Sequence, residues 1–292
     1  MKKNVVLFTA VISILACDKI DNPIPTDLGT QALCNSEFPE LVSSAPKRVL
    51  LEDYTGHTCG NCPGAALTAK QLEKDYPGRV FALAVHAGSF ADPLPPQAKK
   101  FLSDFRTPAS QQWDDFFEIS VNGNPNGMVN RKGEDAVWYK FPGEWFSEVQ
   151  ASLGQQADLE LNLAASLSDS ICATAFIQPL RILGNDLSIS IVLMEDSVVD
   201  WQKNYENGGD PNYPYGDVEN YVHNHVLRKN FNGIFGSALQ LQEVGTDSIV
   251  PVGYKIAIDS TWNTENLSVL GFVFRTDTKE VLQVNKAKVS RD

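Results

Sequence analysis

Leu50-Leu51-Glu52-Asp53-Tyr54-Thr55-Gly56-His57-Thr58-Cys59-Gly60-Asn61-Cys62-Pro63 sets two cysteines, two residues apart, between an apolar strand-like run and a helix-like one. Downstream of the pair, Ala65, Ala66, Leu67, Ala69 and Leu72 recur at helix-compatible spacing, and residues 79–86 form a second apolar strand. The local order is strand, CxxC, helix, strand. Two thiols so spaced can close a small disulfide, and the first stands where the N-terminus of a helix would favour its thiolate. The pattern therefore predicts Cys59 as the more exposed, attacking thiol and Cys62 as the resolving one. Asp53, six residues before Cys59, ends the strand. It is either a partly buried carboxylate that relays the resolving thiol's proton or a solvent-facing strand end.

The N-terminus indicates where such chemistry takes place. Lys2 and Lys3 precede an apolar run from Val5 to Ala16, too short to span a bilayer but suited to a signal-peptide core. Ile14-Leu15-Ala16-Cys17 then reads as a lipobox, with cleavage after residue 16 and a lipid on Cys17. Removal of residues 1–16 takes away two lysines and moves the net charge from −12 to −14. Nucleic acid is excluded as a partner by that bulk charge. The other four cysteines, Cys34, Cys59, Cys62 and Cys172, are an even set in an oxidising compartment, so a Cys34–Cys172 bridge and two free thiols are both open.

Residues 17–46 read as a lipidated tether and 47–156 as an α/β domain. Within the latter, helices are predicted over 94–105, 108–117 and 142–155, and a turn around Pro125 feeds a strand that ends near Arg131. From 157 to 292 the period changes to two. Strand-like runs at 159–167, 171–183, 187–194, 221–227, 249–258, 267–274 and 281–289 predict an all-β, immunoglobulin-like sandwich. The stretch 204–217 is a loop by composition.

Val121-Asn122-Gly123-Asn124-Pro125 completes the candidate site. A cis Pro125 in a tight turn would set the Asn124 backbone opposite the disulfide, where an extended substrate segment pairs; a trans bond would make it a loop proline. His223 and His225 alternate onto one strand face, open to metal binding or to hydrogen bonding within the sandwich. His57 and His86 fall near the CxxC end of the sheet. Zinc needs about four ligands, and no second CxxC or suitably spaced histidine pair in the first domain supplies them. Asp210-Pro211-Asn212 lacks the calcium-loop pattern further on, at Pro214 and Tyr215. No metal or cofactor is expected.

Residues 48–155 resemble a thioredoxin-like domain, and the wider chain resembles the Omp28-related outer-membrane lipoprotein family of Bacteroidota. The likeness is carried by the stretch 50–63, by Gly123-Asn124-Pro125-Asn126-Gly127-Met128-Val129-Asn130-Arg131 and by Tyr221-Val222-His223-Asn224-His225-Val226-Leu227-Arg228. It implies a thioredoxin fold and an envelope location. Thr58, Asn61 and Pro63 depart from working thioredoxins at the residue before the pair, inside it and after it. The expected function is thiol–disulfide exchange on exported proteins with thiols or disulfides, with catalytic Cys59, Cys62 and Asp53 and with substrate pairing at Asn124 and Pro125. The competing class is a surface binding protein or adhesin in which the cysteines only staple the fold.

Overall fold

A computed structural model describes residues 30–291 apart from 35, 134–136, 185, 207–211 and 242–243; Cys17 and the signal segment lie outside the described residues. A short β1 (Thr30–Gln31) is followed by β2 (Val49–Thr55), α1 (Cys62–Asp75) and β3 (Val80–His86). β2 and β3 pair in parallel, from Val49 with Val80 to Thr55 with His86, so α1 is the crossover between them. The chain then passes through α2 (Pro108–Phe117), β4 (Asn126–Val129) and α3 (Trp145–Leu153). β4 runs antiparallel on the other edge of β2, with Tyr54 opposite Asn126.

Strand β2 is buried along its whole length, and its two faces meet different layers. Val49 and Leu51 pack with Ala65, Leu72, Trp145 and Val149 under α1 and α3. Leu50 and Tyr54 turn to Trp113 and Phe117 of α2. Because side chains alternate, Asp53 belongs to the α1 face and Glu52 to the α2 face. That division positions the site.

The second half contributes β5 (Leu159–Leu167), β6 (Ser170–Pro179), β7 (Leu187–Glu195), β8 (Val198–Asn204), β9 (Gly216–His223) and β10 (Val226–Asn230), then β11 (Ser237–Ala238), β12 (Val250–Ala257), β13 (Leu267–Arg275), β14 (Val281–Lys288) and β15 (Ser290–Arg291). A five-stranded sheet has the order β1-β12-β6-β5-β15. The other large sheet runs β14-β13-β7-β10-β3-β2-β4, with β11 also on β7. Leu161, Ile177, Ile189, Ile191 and Val269 fill the space between the two sheets as in a sandwich.

Hydrogen-bonded pairing does not stop at the expected boundary near residue 156. β10 joins β3 in parallel through Val226 and Ala84, and Ala84 N–H donates to His225 O at 2.8 Å. One sheet therefore runs from the first half into the second, and its core holds Leu83 and Met128 beside Val192, Met194 and Phe272.

The helix expected over 94–105 is absent. Pro95 and Pro96 interrupt it, Lys99 and Phe101 adopt left-handed backbone at φ 60° and 57°, and only a single 3₁₀ turn forms at Pro96–Ala98. The apolar stripe of Phe101 and Phe105 is satisfied instead by packing onto His57. The segment read as tether is also fixed where it is described: β1 pairs antiparallel with β12, and Cys34 and Phe38 lie on the outer face of β6. Cys34 is bonded to Cys172, Cys34 N–H donates to Thr174 Oγ1 at 2.8 Å, and Phe38 meets Phe176 edge-on at 5.1 Å.

Candidate functional site

β2 delivers the chain to a turn, closed by Cys59 N–H donating to Gly56 O at 3.0 Å, and α1 starts at Cys62 with Asn61 at its N-cap and Pro63 in its first turn. Cys59 and Cys62 form a disulfide with Cα atoms 5.4 Å apart. The Asn124–Pro125 bond is cis. Asn124 Nδ2 donates to Ala87 O at 3.0 Å just beyond β3, which sets Pro125 at the end of the sheet from which the CxxC turn emerges.

Cys59 is not the more exposed thiol: both cysteines are 2% exposed. The cause is β8 and β9, which among the described residues pair only with each other and lean over the turn. Lys203 N–H donates to His57 O at 2.8 Å, Tyr205 N–H to Gly60 O at 2.6 Å, and Gln202 Nε2 to Cys59 O at 2.9 Å. The ring of Tyr205 sits so close to Gly60 that a Cβ there would collide with it, so glycine is required by close approach rather than by φ. The stretch 204–217 thus begins in β8 and ends in β9, with Tyr205 over the turn; its residues 207–211 lie outside the described residues.

Asp53 is 4% exposed, and its Oδ1 has no hydrogen-bond partner among the described residues. Burial pushes its carboxyl up to about 7, against a smaller opposing pull from the His225 cation. The solvent-facing reading is excluded. All four histidines of the chain gather at this end of the sheet. Burial lowers His57, whose Nε2 lies 3.1 Å from Asp92 O; it lowers His86 well below the usual range, and it lowers His223 to about 4. The rings of His86 and His223 flank Phe105 at 5.0 and 5.1 Å. His223 and His225 do not share a strand face, because β9 ends at His223 and His225 takes φ 58°. Burial opposes charge on His225 as well, but Asp196 and Glu73, each 3.0 Å away, outweigh it and raise its pKa to about 9. Among the described residues no group of three or more His, Cys, Asp or Glu side chains is arranged to hold a metal.

A cleft of about 390 Å³ opens between α1 and the β9–β10 turn, with Asp53, Cys62, His86 and His223 at its buried floor. Tyr205 and Gln202, which complete the surroundings of the disulfide, lie outside the motif, as does Phe105, which packs on the histidines. The only trace of β8 in sequence is the weak alternation of Val199, Trp201 and Lys203.

A stability prediction follows from Asp53. Its carboxyl holds a proton up to about 7 in the folded chain, against a reference value of 3.8, so the folded state binds more protons between those values. Stability should therefore fall as pH rises from about 4 to about 7. Asp53→Asn should change little near pH 4 and stabilise by up to roughly 4 kcal/mol near pH 8. Urea unfolding of both proteins at the two pH values checks this; a less stable variant at the higher pH contradicts it.

The sequence matches the family described as outer membrane protein Omp28 over residues 111–292. The match begins after Cys59 and Cys62 and takes in Pro125, the hairpin and the two-sheet core. Among solved structures, the chain is similar to a domain of the outer membrane lipoprotein Omp28 from Porphyromonas gingivalis. Identity is 21%, covering 47% of this chain and 91% of that one, with a TM-score of 0.31. No curated protein matches.

Proposed function

This chain belongs to the outer membrane protein Omp28 family, whose members are outer-membrane lipoproteins, and within that setting we propose that it carries out thiol–disulfide exchange at Cys59–Cys62 on exported proteins. One observation carries the reading: the disulfide closes onto the first residue of α1 while Asp53, a buried carboxyl pushed to about 7, shares the cleft that Cys62 lines. A group with that affinity for protons can take one from the resolving thiol and return it near neutral pH. Support also comes from the β2–α1–β3 crossover, the antiparallel β4 and the cis Pro125, an arrangement of the thioredoxin type. The two-sheet second half is read as immunoglobulin-like in the broad sense.

In this mechanism the thiolate of Cys59 is stabilised ahead of the α1 N-terminus and attacks the partner's disulfide; Cys62, inside the helix, resolves the mixed disulfide. Asn124 and Pro125 border the groove that receives the partner's extended backbone. The 203–205 segment occupies the turn in the closed form, so a protein partner must displace it. Alkylation of the reduced protein across pH tests the assignment. Cys59 should react at lower pH than Cys62, and identical profiles for both, near the ordinary thiol value of about 8.5, contradict it.

We place the lipid on Cys17, which closes Ile14-Leu15-Ala16-Cys17. Fatty-acid labelling in cells should be lost in Cys17→Ser, and label retained by that variant would refute the assignment. Among the described residues no helix is long and apolar enough to cross a membrane.

A further inference from the structure

An exchanger that reacts with proteins through Cys59 needs a second half-reaction to reset the pair. We propose that a small polar thiol performs it, entering the cleft between α1 and the β9–β10 turn and attacking Cys62 while the hairpin stays closed. The inference rests on the redox reading of Cys59–Cys62.

Three observations carry it. First, the cleft touches one sulfur-bearing residue and not the other: Cys62 lines it, whereas Cys59 is not among its lining residues. Second, it has a mouth and a floor. Lys70 and Asn224 are exposed at its rim, and Asp53, Cys62 and His86 are at most 4% exposed at its base. Third, the side chains of the base are polar. Asp53 Oδ1, both ring nitrogens of His86 and Nε2 of His223 are buried without a partner among the described residues, and all three side chains line the cleft. Unpaired buried polar atoms are costly, and four that belong to side chains lining one cavity give it a polar base that favours a polar occupant. The volume of about 390 Å³ suits a small molecule and excludes a folded protein.

The chemistry favours the same sulfur. The incoming thiolate bonds to Cys62 Sγ as the Cys59–Cys62 bond breaks, and the electron pair leaves on Cys59, the thiolate better stabilised ahead of the helix and so the better leaving group. A second molecule of the thiol attacks the outer sulfur of the mixed disulfide, releases the small disulfide and leaves Cys62 as thiolate. Two thiols are oxidised and one protein disulfide is reduced. The two protons shed by the thiols end on Cys59 and Cys62, one of them relayed by Asp53 and the other exchanged through solvent.

The test uses the oxidised whole protein with L-cysteine as the probe and thiolated dextran as a thiol too large for the cleft, each quenched by alkylation and mapped by mass spectrometry. L-cysteine should reduce Cys59–Cys62 through a transient adduct on Cys62, and the dextran should be at least about tenfold slower. Leu67→Trp on α1 or Val222→Trp on β9, each half-buried at the cleft wall, should slow L-cysteine by about tenfold or more. An adduct on Cys59, or tryptophan variants that react as fast as the parent, would overturn the cleft route and leave the redox reading standing. If both variants misfold, adduct mapping on the parent decides alone. A disulfide that neither thiol reduces would end both proposals.

Discussion

Arg131→Met should cost the fold about 3–5 kcal/mol, because it strands the Glu52 carboxylate in a fully buried site. Arg131 Nε and Nη2 donate to the two Glu52 oxygens at 2.8 and 2.6 Å, and both side chains are 0% exposed. The guanidinium also lies over Trp113 at 4.5 Å, Phe272 at 4.8 Å and Phe117 at 5.1 Å, so one side chain ties β2 and α2 to β13 of the sandwich. Burial alone would lower the Arg131 pKa; the carboxylate of Glu52 outweighs it and holds the pKa above the ordinary value. Replacing both partners, with Glu52→Leu added to Arg131→Met, should recover most of the loss, since a buried ion pair can be exchanged for apolar packing at little net cost. Urea unfolding measures both. A single variant losing less than about 1 kcal/mol would show that the pair does not secure the junction.

Cys62→Ser should capture exported proteins as mixed disulfides on Cys59, and Cys59→Ser should capture none. With the resolving thiol removed, the first step proceeds and the second cannot. The covering hairpin makes a further demand. Tyr205→Ala in the Cys62→Ser background removes the ring that covers Gly60 and should raise the yield severalfold, because the 203–205 segment is then held by its backbone bonds alone. Non-reducing gels of envelope fractions followed by peptide mapping read the result. Capture through Cys59→Ser instead, or no capture by either variant with or without Tyr205, would favour the alternative in which the cysteines staple a binding protein.

Much of this site is legible in the sequence because its parts are local. The apolar run of β2, the spacing of Ala65, Ala69 and Leu72, and the apolar β3 each fix an element within one short window, and the pair of cysteines falls at the junction they define. Gly123-Asn124-Pro125 marks its turn for the same reason. What could not be read depends on contacts between distant residues. Tyr205 reaches Gly60 across 145 positions, and only the folded hairpin reveals that Cys59 is covered. The single sheet that joins the two halves rests on the short β10–β3 seam, which no periodicity announces. In 94–105 the spacing of Phe101, Leu102 and Phe105 suits a helix, but two prolines and two left-handed residues outweigh it. His223 and His225 mislead in the opposite sense, since alternation holds only while the strand continues, and β9 ends between them.

The central claim is that Cys59–Cys62 is a working disulfide. Equilibrium redox titration of the intact protein against a dithiol buffer, with the two cysteines quantified by alkylation and mass spectrometry, tests it most directly. A catalytic pair should reach its midpoint between about −270 and −120 mV, the span of known thiol–disulfide exchangers, whereas a midpoint below about −300 mV, the range of structural bridges, would contradict the account.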